Sequence, residues 1–221
     1  MKALLYKEFK LAMHPVCYIF IALFPCMILI PSYPLAIGFI YVLSCYPILF
    51  LGANKGQQSN DLLYSTLLPI RKKDIVKARI FTVAIMQFAY ILIMCALLPL
   101  AMFSHQASPD TGLGIKGFVS LIGIALIGFS LADLIYFSVY YKNGKSIVMS
   151  TLLTILGFIL YLAVFTIVLC YIPGLEWYKG FLQESGIGYQ FIVLGVSLVV
   201  YVVLHYLVYK VASKELEQVD F

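Results

Sequence analysis

Charge is scarce in this chain. Of its 221 residues only 11% are charged against 63% hydrophobic, and so little polar surface cannot cover a water-soluble globule of this size. Lipid must solvate it. Metal-binding spacing is also lacking. Cys17, Cys26, Cys45, Cys95 and Cys170 sit in or at the edge of apolar segments without a partnering histidine, and they read as small buried apolar residues. His14, His105 and His205 stand in unrelated places, and H-E-x-x-H does not occur. A nucleotide site is missing as well. Gly144-Lys145-Ser146 matches the end of a phosphate-binding loop, but Val139 stands where that loop needs glycine, and an apolar span precedes it instead of a strand. An intramembrane serine protease would need Gly-x-Ser-Gly, and Gly128-Phe129-Ser130-Leu131 lacks the last glycine. Depth argues the same way: counted along helices, Ser130 lies about 18 Å from Lys142 and His205 about 8 Å from Lys210. The first apolar stretch carries no small-residue cleavage site, which makes it a retained span. These absences leave no catalysis, metal or cofactor to assign to the chain.

What remains is enough for an all-α membrane protein built as one domain over 1–221. Six apolar segments are readable: about Val16 to Tyr33, Pro34 to Ala53, Ile80 to Phe103, Gly117 to Tyr141, a fifth that follows the Lys142 to Ser146 connection and ends near Ile172, and Gly188 to Tyr209, each of about the 20 residues that a bilayer core requires. Pro31 and Pro34 interrupt the first two and fold them into a hairpin. Pro25 and Pro47 should bend these spans, and a charged tail follows Tyr209.

The distribution of lysine and arginine orients the spans. Three precede the first span (Lys2, Lys7, Lys10). Six fall between the second and third (Lys55, Arg71, Lys72, Lys73, Lys77, Arg79), two between the fourth and fifth (Lys142, Lys145) and two in the tail (Lys210, Lys214). The other side holds only Lys116 and Lys179. Cytoplasmic loops retain positive charge, so both termini belong on the cytoplasmic side of an inner membrane. The net charge of +5 thus follows topology and does not call for nucleic acid. Trp177 and Tyr178 suit an interfacial anchor on the outer side.

Ahead of the first span, Met1 to Met13 draws as one short helix, part of an interfacial segment over 1–15. Its lysines lie on one side, and Glu8 falls among Leu4, Leu5 and Phe9, where it must snorkel or meet a buried polar partner. The loop over 54–79 is longer than a connection between two helices requires. Pro69 divides it into two short helical candidates, the second presenting Ile70 and Ile75 as apolar contacts amid Arg71, Lys72, Lys73, Asp74 and Lys77. The same basic residues would also hold the topology and attract anionic lipid.

Leu68-Pro69-Ile70-Arg71-Lys72-Lys73-Asp74-Ile75-Val76 is similar to the coupling-helix motif Leu-Pro-Ile-Ser-Arg-Lys-Glu-Ile-Val of ABC-2-type permease subunits. Lys7-Glu8 resembles the Lys-Glu pair of their N-terminal surface helix. Arg71 replaces a capping serine of the family and Asp74 a glutamate. Over nearly its whole length the chain resembles the small six-span exporters of Gram-positive bacteria. That resemblance implies a permease half that pairs with a second copy or paralogue and docks two separate ATPase subunits, which bind ATP and Mg. It also implies export of an amphipathic peptide or lipophilic compound. A membrane-embedded enzyme and a non-transporting scaffold or immunity protein are the alternatives.

Asp133 is the only acidic residue within any span, and a carboxyl at that depth needs a partner. It lies about 13 Å in from Lys142, and Gln87 lies about 12 Å in from Arg79, so both share one level on antiparallel helices. Ser130, Asp133, Tyr136 and Tyr140 follow one side of the fourth span. A polar latch between the third and fourth spans is one reading, and a purely structural hydrogen bond or a protonated Asp133 is the other. Gly128 with Ala132, and Gly188 with Gly195, offer close helix approach, including at a dimer contact.

Overall fold

A computed structural model of the chain describes residues 2–12, 15–23, 25–26, 71–106, 115–142, 147–171 and 187–218, and every element among them is helical. α1 (Lys2–Lys7) runs directly into a π-helical stretch, Glu8–Ala12, and α2 covers Pro15–Leu23. Four long helices follow: α3 (Lys72–Gln106), α4 (Ile115–Lys142), α5 (Ile147–Tyr171) and α6 (Ile187–Gln218). Each is long and apolar enough, by length and composition, to cross a membrane. The second sequence-derived span, the turn at Pro31 and Pro34, Pro47, the first part of the 54–79 loop, and Trp177 with Tyr178 lie outside the described residues.

In place of the one regular helix that the sequence suggests, Lys2–Lys7 is α-helical and Glu8–Ala12 is a π turn. A π turn holds an extra residue, which shifts the register of everything after it. Here it opens with Glu8, and the Phe9 carbonyl within it accepts a hydrogen bond from the Tyr18 hydroxyl at 2.7 Å. Lys10 reaches back one turn to the Tyr6 hydroxyl at 2.8 Å. α2 stops before Pro25, and Pro25 and Cys26 form a 3₁₀ turn, as expected where a ring replaces the amide hydrogen.

Two boundaries move for the same physical reason. α3 starts at Lys72 rather than near Ile80, and α6 runs through the supposed tail to Gln218. Apolar residues continue at helical spacing through both charged stretches: Val76, Ile80 and Val83 in α3, and Val208, Ala212 and Leu216 in α6, are all buried in the main core. At the start of α3 the Asp74 amide donates to the Arg71 carbonyl at 2.9 Å, and the Asp74 carboxylate suits the positive end of the helix dipole. With 35 and 32 residues, α3 and α6 are about 50 Å long against a hydrocarbon core of about 30 Å, so they tilt or project beyond it. α3 also continues through Pro99.

α4 is the centre of the bundle. It packs most extensively on α6, then on α5, while α3 lies against α6 and touches α4 only lightly. Small residues set these distances. A Cβ on Gly123 would stand 2.9 Å from Ser197 Oγ of α6, one on Gly128 would stand 2.8 Å from the Phe158 ring of α5, and one on Gly157 would run into Ile135. Gly128 therefore serves an approach within the chain. Gly188 and Gly195 face open space. α5 turns only a narrow stripe inward, Ser150, Thr154 and Phe158, and exposes Leu152, Leu156 and Leu160, the pattern of a helix solvated by lipid on most sides. Cys26 and Cys95 are exposed free thiols, so these two cysteines are not the buried fillers that the sequence suggested.

Candidate functional site

Three helices meet at a buried polar junction. Asp133 of α4 and Gln87 of α3 are both fully buried, and the Gln87 amide nitrogen donates to Asp133 Oδ2 at 2.8 Å. The other end of that amide accepts a hydrogen bond of 2.6 Å from the hydroxyl of Tyr201 on α6. Donor rules fix the orientation: a carboxylate accepts only from the NH₂ group, which leaves the Gln87 carbonyl for the phenol. One side chain thus bridges two helices, and it joins α3 to α4 where their backbones have little contact.

His205, one turn beyond Tyr201, completes the junction. Its Nε2 lies 3.1 Å from Asp133 Oδ2, while Nδ1 lies 3.0 Å from the Tyr201 carbonyl. A carbonyl can only accept, so Nδ1 carries a hydrogen. The Nε2 approach has ion-pair length without hydrogen-bond alignment, and it is an ion pair only when the imidazole is protonated. The imidazole gives the buried carboxyl a polar neighbour at a depth where such groups need one. Ser130 does not enter the junction: its hydroxyl donates to the Ile127 carbonyl of its own helix at 2.9 Å. With the His205 ring held by Asp133 and Tyr201, the geometry of a serine nucleophile and its base is not formed.

A second buried contact lies at the start of α3. Glu8 is 3% exposed and Arg79 5%, and Arg79 Nε donates to Glu8 Oε2 at 3.2 Å. Tyr141, buried at the end of α4, stands beside the pair. Lys73 pairs with Glu217 at 3.2 Å near the end of α6, with both side chains about half exposed. The N-terminal helix, the base of α3 and the ends of α4 and α6 are therefore gathered at one end of the molecule.

Of the coupling-motif residues, Leu68, Pro69 and Ile70 lie outside the described residues. Arg71 and Lys73 are exposed, and Lys72 and Asp74 are half-buried. Ile75 is 2% exposed, so its side chain packs within the chain, and Arg71 and Lys73 are the motif residues exposed among those described. Among the described residues no cluster of His, Cys, Asp or Glu could hold a metal ion.

A family model described as ABC-2 family transporter protein matches residues 3–213. The chain belongs to the ABC-2 transporter family. No curated protein and no solved structure gives a significant match. As an ABC-2 family permease, the chain has its interior charges on elements that the match covers: Glu8 before the first span, Arg79 and Gln87 on α3, Asp133 on α4, and Tyr201 with His205 on α6.

Sequence reasoning placed Gln87 opposite Asp133 but missed His205 and Tyr201. Counting the depth of His205 from Lys210 treats the helix as leaving the membrane there, whereas it continues to Gln218. Measured from Lys214 on the longer helix, His205 stands nine residues in, the same distance that separates Asp133 from Lys142. The burial of Val208, Ala212 and Leu216 is the signal, and their spacing of four was present in the sequence.

Proposed function

We propose that this ABC-2 family protein is the transmembrane permease subunit of an ATP-driven exporter, with six spans, an interfacial N-terminal helix, and both termini in the cytoplasm of a bacterial inner membrane. It works as a dimer with a second copy or a paralogue. Separate ATPase subunits bind ATP and Mg and dock on the segment that runs from Leu68 to Ile75. The cargo is an amphipathic peptide or lipophilic compound, matched to walls that are almost wholly apolar.

The observation that carries this reading is the continuity of α3. The end of the coupling motif is the first turn of a helix that passes unbroken through Arg79 and Gln87. From Lys73 to Gln87 the helix rises about 21 Å, so a displacement at its base is delivered to the polar junction by a rigid rod rather than across a hinge. Glu8 and Glu217 hold the base to the N-terminal helix and to α6. Gln87 holds the middle to α4 and α6. Switching between inner and outer access then amounts to α3 changing its position relative to α4, with the Gln87 amide as the latch. Bistable side-chain contacts of this kind convert small shifts into discrete states.

Co-reconstitution into proteoliposomes with a separate ATPase subunit that co-purifies with this chain tests the proposal. ATP-dependent flux of a fluorescent amphipathic peptide or lipophilic dye is the expected result. An assembled complex that hydrolyses ATP yet moves none of a broad panel of such cargo would overturn the exporter reading.

A further inference from the structure

A groove runs between α3 and α6 on the outer side of the polar junction. Its cavity is about 510 Å³, with Lys77 at one end, Phe81 and Phe88 along α3, and Val202, Tyr206 and Tyr209 along α6. Three properties define what fits it. Its walls are apolar apart from Lys77 and the edge of His205. The twelve residues from Lys77 to Phe88 extend about 16 Å, close to the depth of one leaflet, about half of a 30 Å core. Its single exposed cation lies at the end where the bundle's basic residues gather, and one turn earlier Lys73 is already engaged with Glu217.

We propose that this groove binds an anionic phospholipid, one acyl chain lying along Phe81 and Phe88 and the headgroup phosphate meeting Lys77. A chain long enough to fill one leaflet fits a groove one leaflet deep, and an ammonium at its mouth selects a negatively charged headgroup. Tyr206 and Tyr209 line the α6 side of the groove, where aromatic rings offer an acyl chain a large apolar surface. The exposed face of α5 supplies the contrast. It is equally greasy at Leu152, Leu156 and Leu160 but carries no charged residue along its 25 residues, so lipid there is held without headgroup preference. A lipid in the groove would press on the outer side of His205 and Tyr201 and so bias the junction behind them. The inner-leaflet assignment rests on the orientation proposed above, whereas the site itself depends on neither transport nor a partner.

The test uses the full-length protein in phosphatidylcholine nanodiscs doped with an acyl-chain diazirine analogue of either phosphatidylglycerol or phosphatidylcholine, with labelled residues mapped by mass spectrometry. Phosphatidylglycerol should label α3 around Ile85 and α6 around Val202 several-fold above phosphatidylcholine, and α5 should take both lipids equally. Lys77→Gln should lower groove labelling by phosphatidylglycerol about fivefold, the loss of one lysine near an anionic surface. Should that variant fold poorly, Ala84→Phe fills the groove and should abolish labelling there while leaving α5 labelling intact. Equal labelling by the two lipids, or groove labelling indifferent to both substitutions, would overturn the proposal. So would a photocrosslinker at Val202 that captures another segment of this chain in place of lipid, because the groove would then be part of the protein's own packing.

Discussion

Glu8 and Arg79 lie 71 positions apart in the chain and form an ion pair of 3.2 Å whose side chains are 4% and 6% exposed. Glu8 disrupts the apolar side of its helix, and Arg79 stands seven residues into a span. Each would be a liability alone, and together they fasten the N-terminal helix to the base of α3. Removing one partner of a buried pair leaves an uncompensated charge and costs about 3–5 kcal/mol, whereas replacing both with apolar residues is close to neutral. Glu8→Met and Arg79→Met should therefore each lower the thermal unfolding temperature in detergent, and the double variant should recover most of the loss. Additive losses in the double-mutant cycle would show that the pair contributes no coupling.

The junction makes a separate prediction. Gln87→Leu leaves both Asp133 and Tyr201 without their amide partner, at a cost of about 1–3 kcal/mol, and unfastens α3 from α4. In proteoliposomes with the partner ATPase, Gln87→Ala and Asp133→Asn variants that insert normally should hydrolyse ATP while transporting several-fold less cargo. Transport at the wild-type rate in both would remove the latch and leave the junction a structural one.

How much of this was legible beforehand depended on which physical signal was read. Composition alone fixes a helical membrane protein, because no other structure satisfies a backbone in lipid over so many apolar runs except a closed barrel, and runs of about 20 residues are too long for barrel strands. Gln87 and Asp133 could be matched by counting rise from two nearby charges, since both counts began close to true helix ends. His205 is not legible by the same count, because Lys210 looks like a helix end but is an exposed residue in mid-helix. Charge marks a membrane boundary only when the apolar stripe stops with it, and on α3 and α6 the stripe continues. Glu8 was visible as an anomaly on its helix, but nothing in a single sequence names the partner of a residue 71 positions away.

Close packing around α4 should make glycine substitutions discriminating. Alanine at Gly128 would meet the Phe158 and Tyr161 rings at 2.8 and 3.2 Å, and overpacking of this kind typically costs about 1–3 kcal/mol. Alanine at Gly195, where nothing lies within 4 Å, should be neutral or stabilise by up to about 1 kcal/mol through helix propensity. Thermal unfolding of the two single variants in the same detergent measures the difference. Equal effects would mean that α4 and α5 are not packed at this distance.

The Lys73 and Glu217 pair is about half exposed, and a pair of that kind is worth at most about 1 kcal/mol and weakens with salt. Glu217→Gln should leave the unfolding temperature nearly unchanged. Its effect should appear in coupling, as a changed ratio of ATP hydrolysed to cargo moved, because the base of α3 loses one of its two clamps. An unchanged ratio would assign the contact to the surface alone.

The central claim is that the base of α3 is held by a nucleotide-hydrolysing partner, and cysteine crosslinking at Lys73→Cys tests it most directly. In membranes containing the co-expressed ATPase, that position should crosslink to the ATPase with a yield that changes between nucleotide-free and vanadate-trapped states. Tyr171→Cys, on the exposed far end of α5, should stay uncrosslinked. An ATPase that co-purifies with this chain but never crosslinks at Lys73 in either state would contradict the assignment.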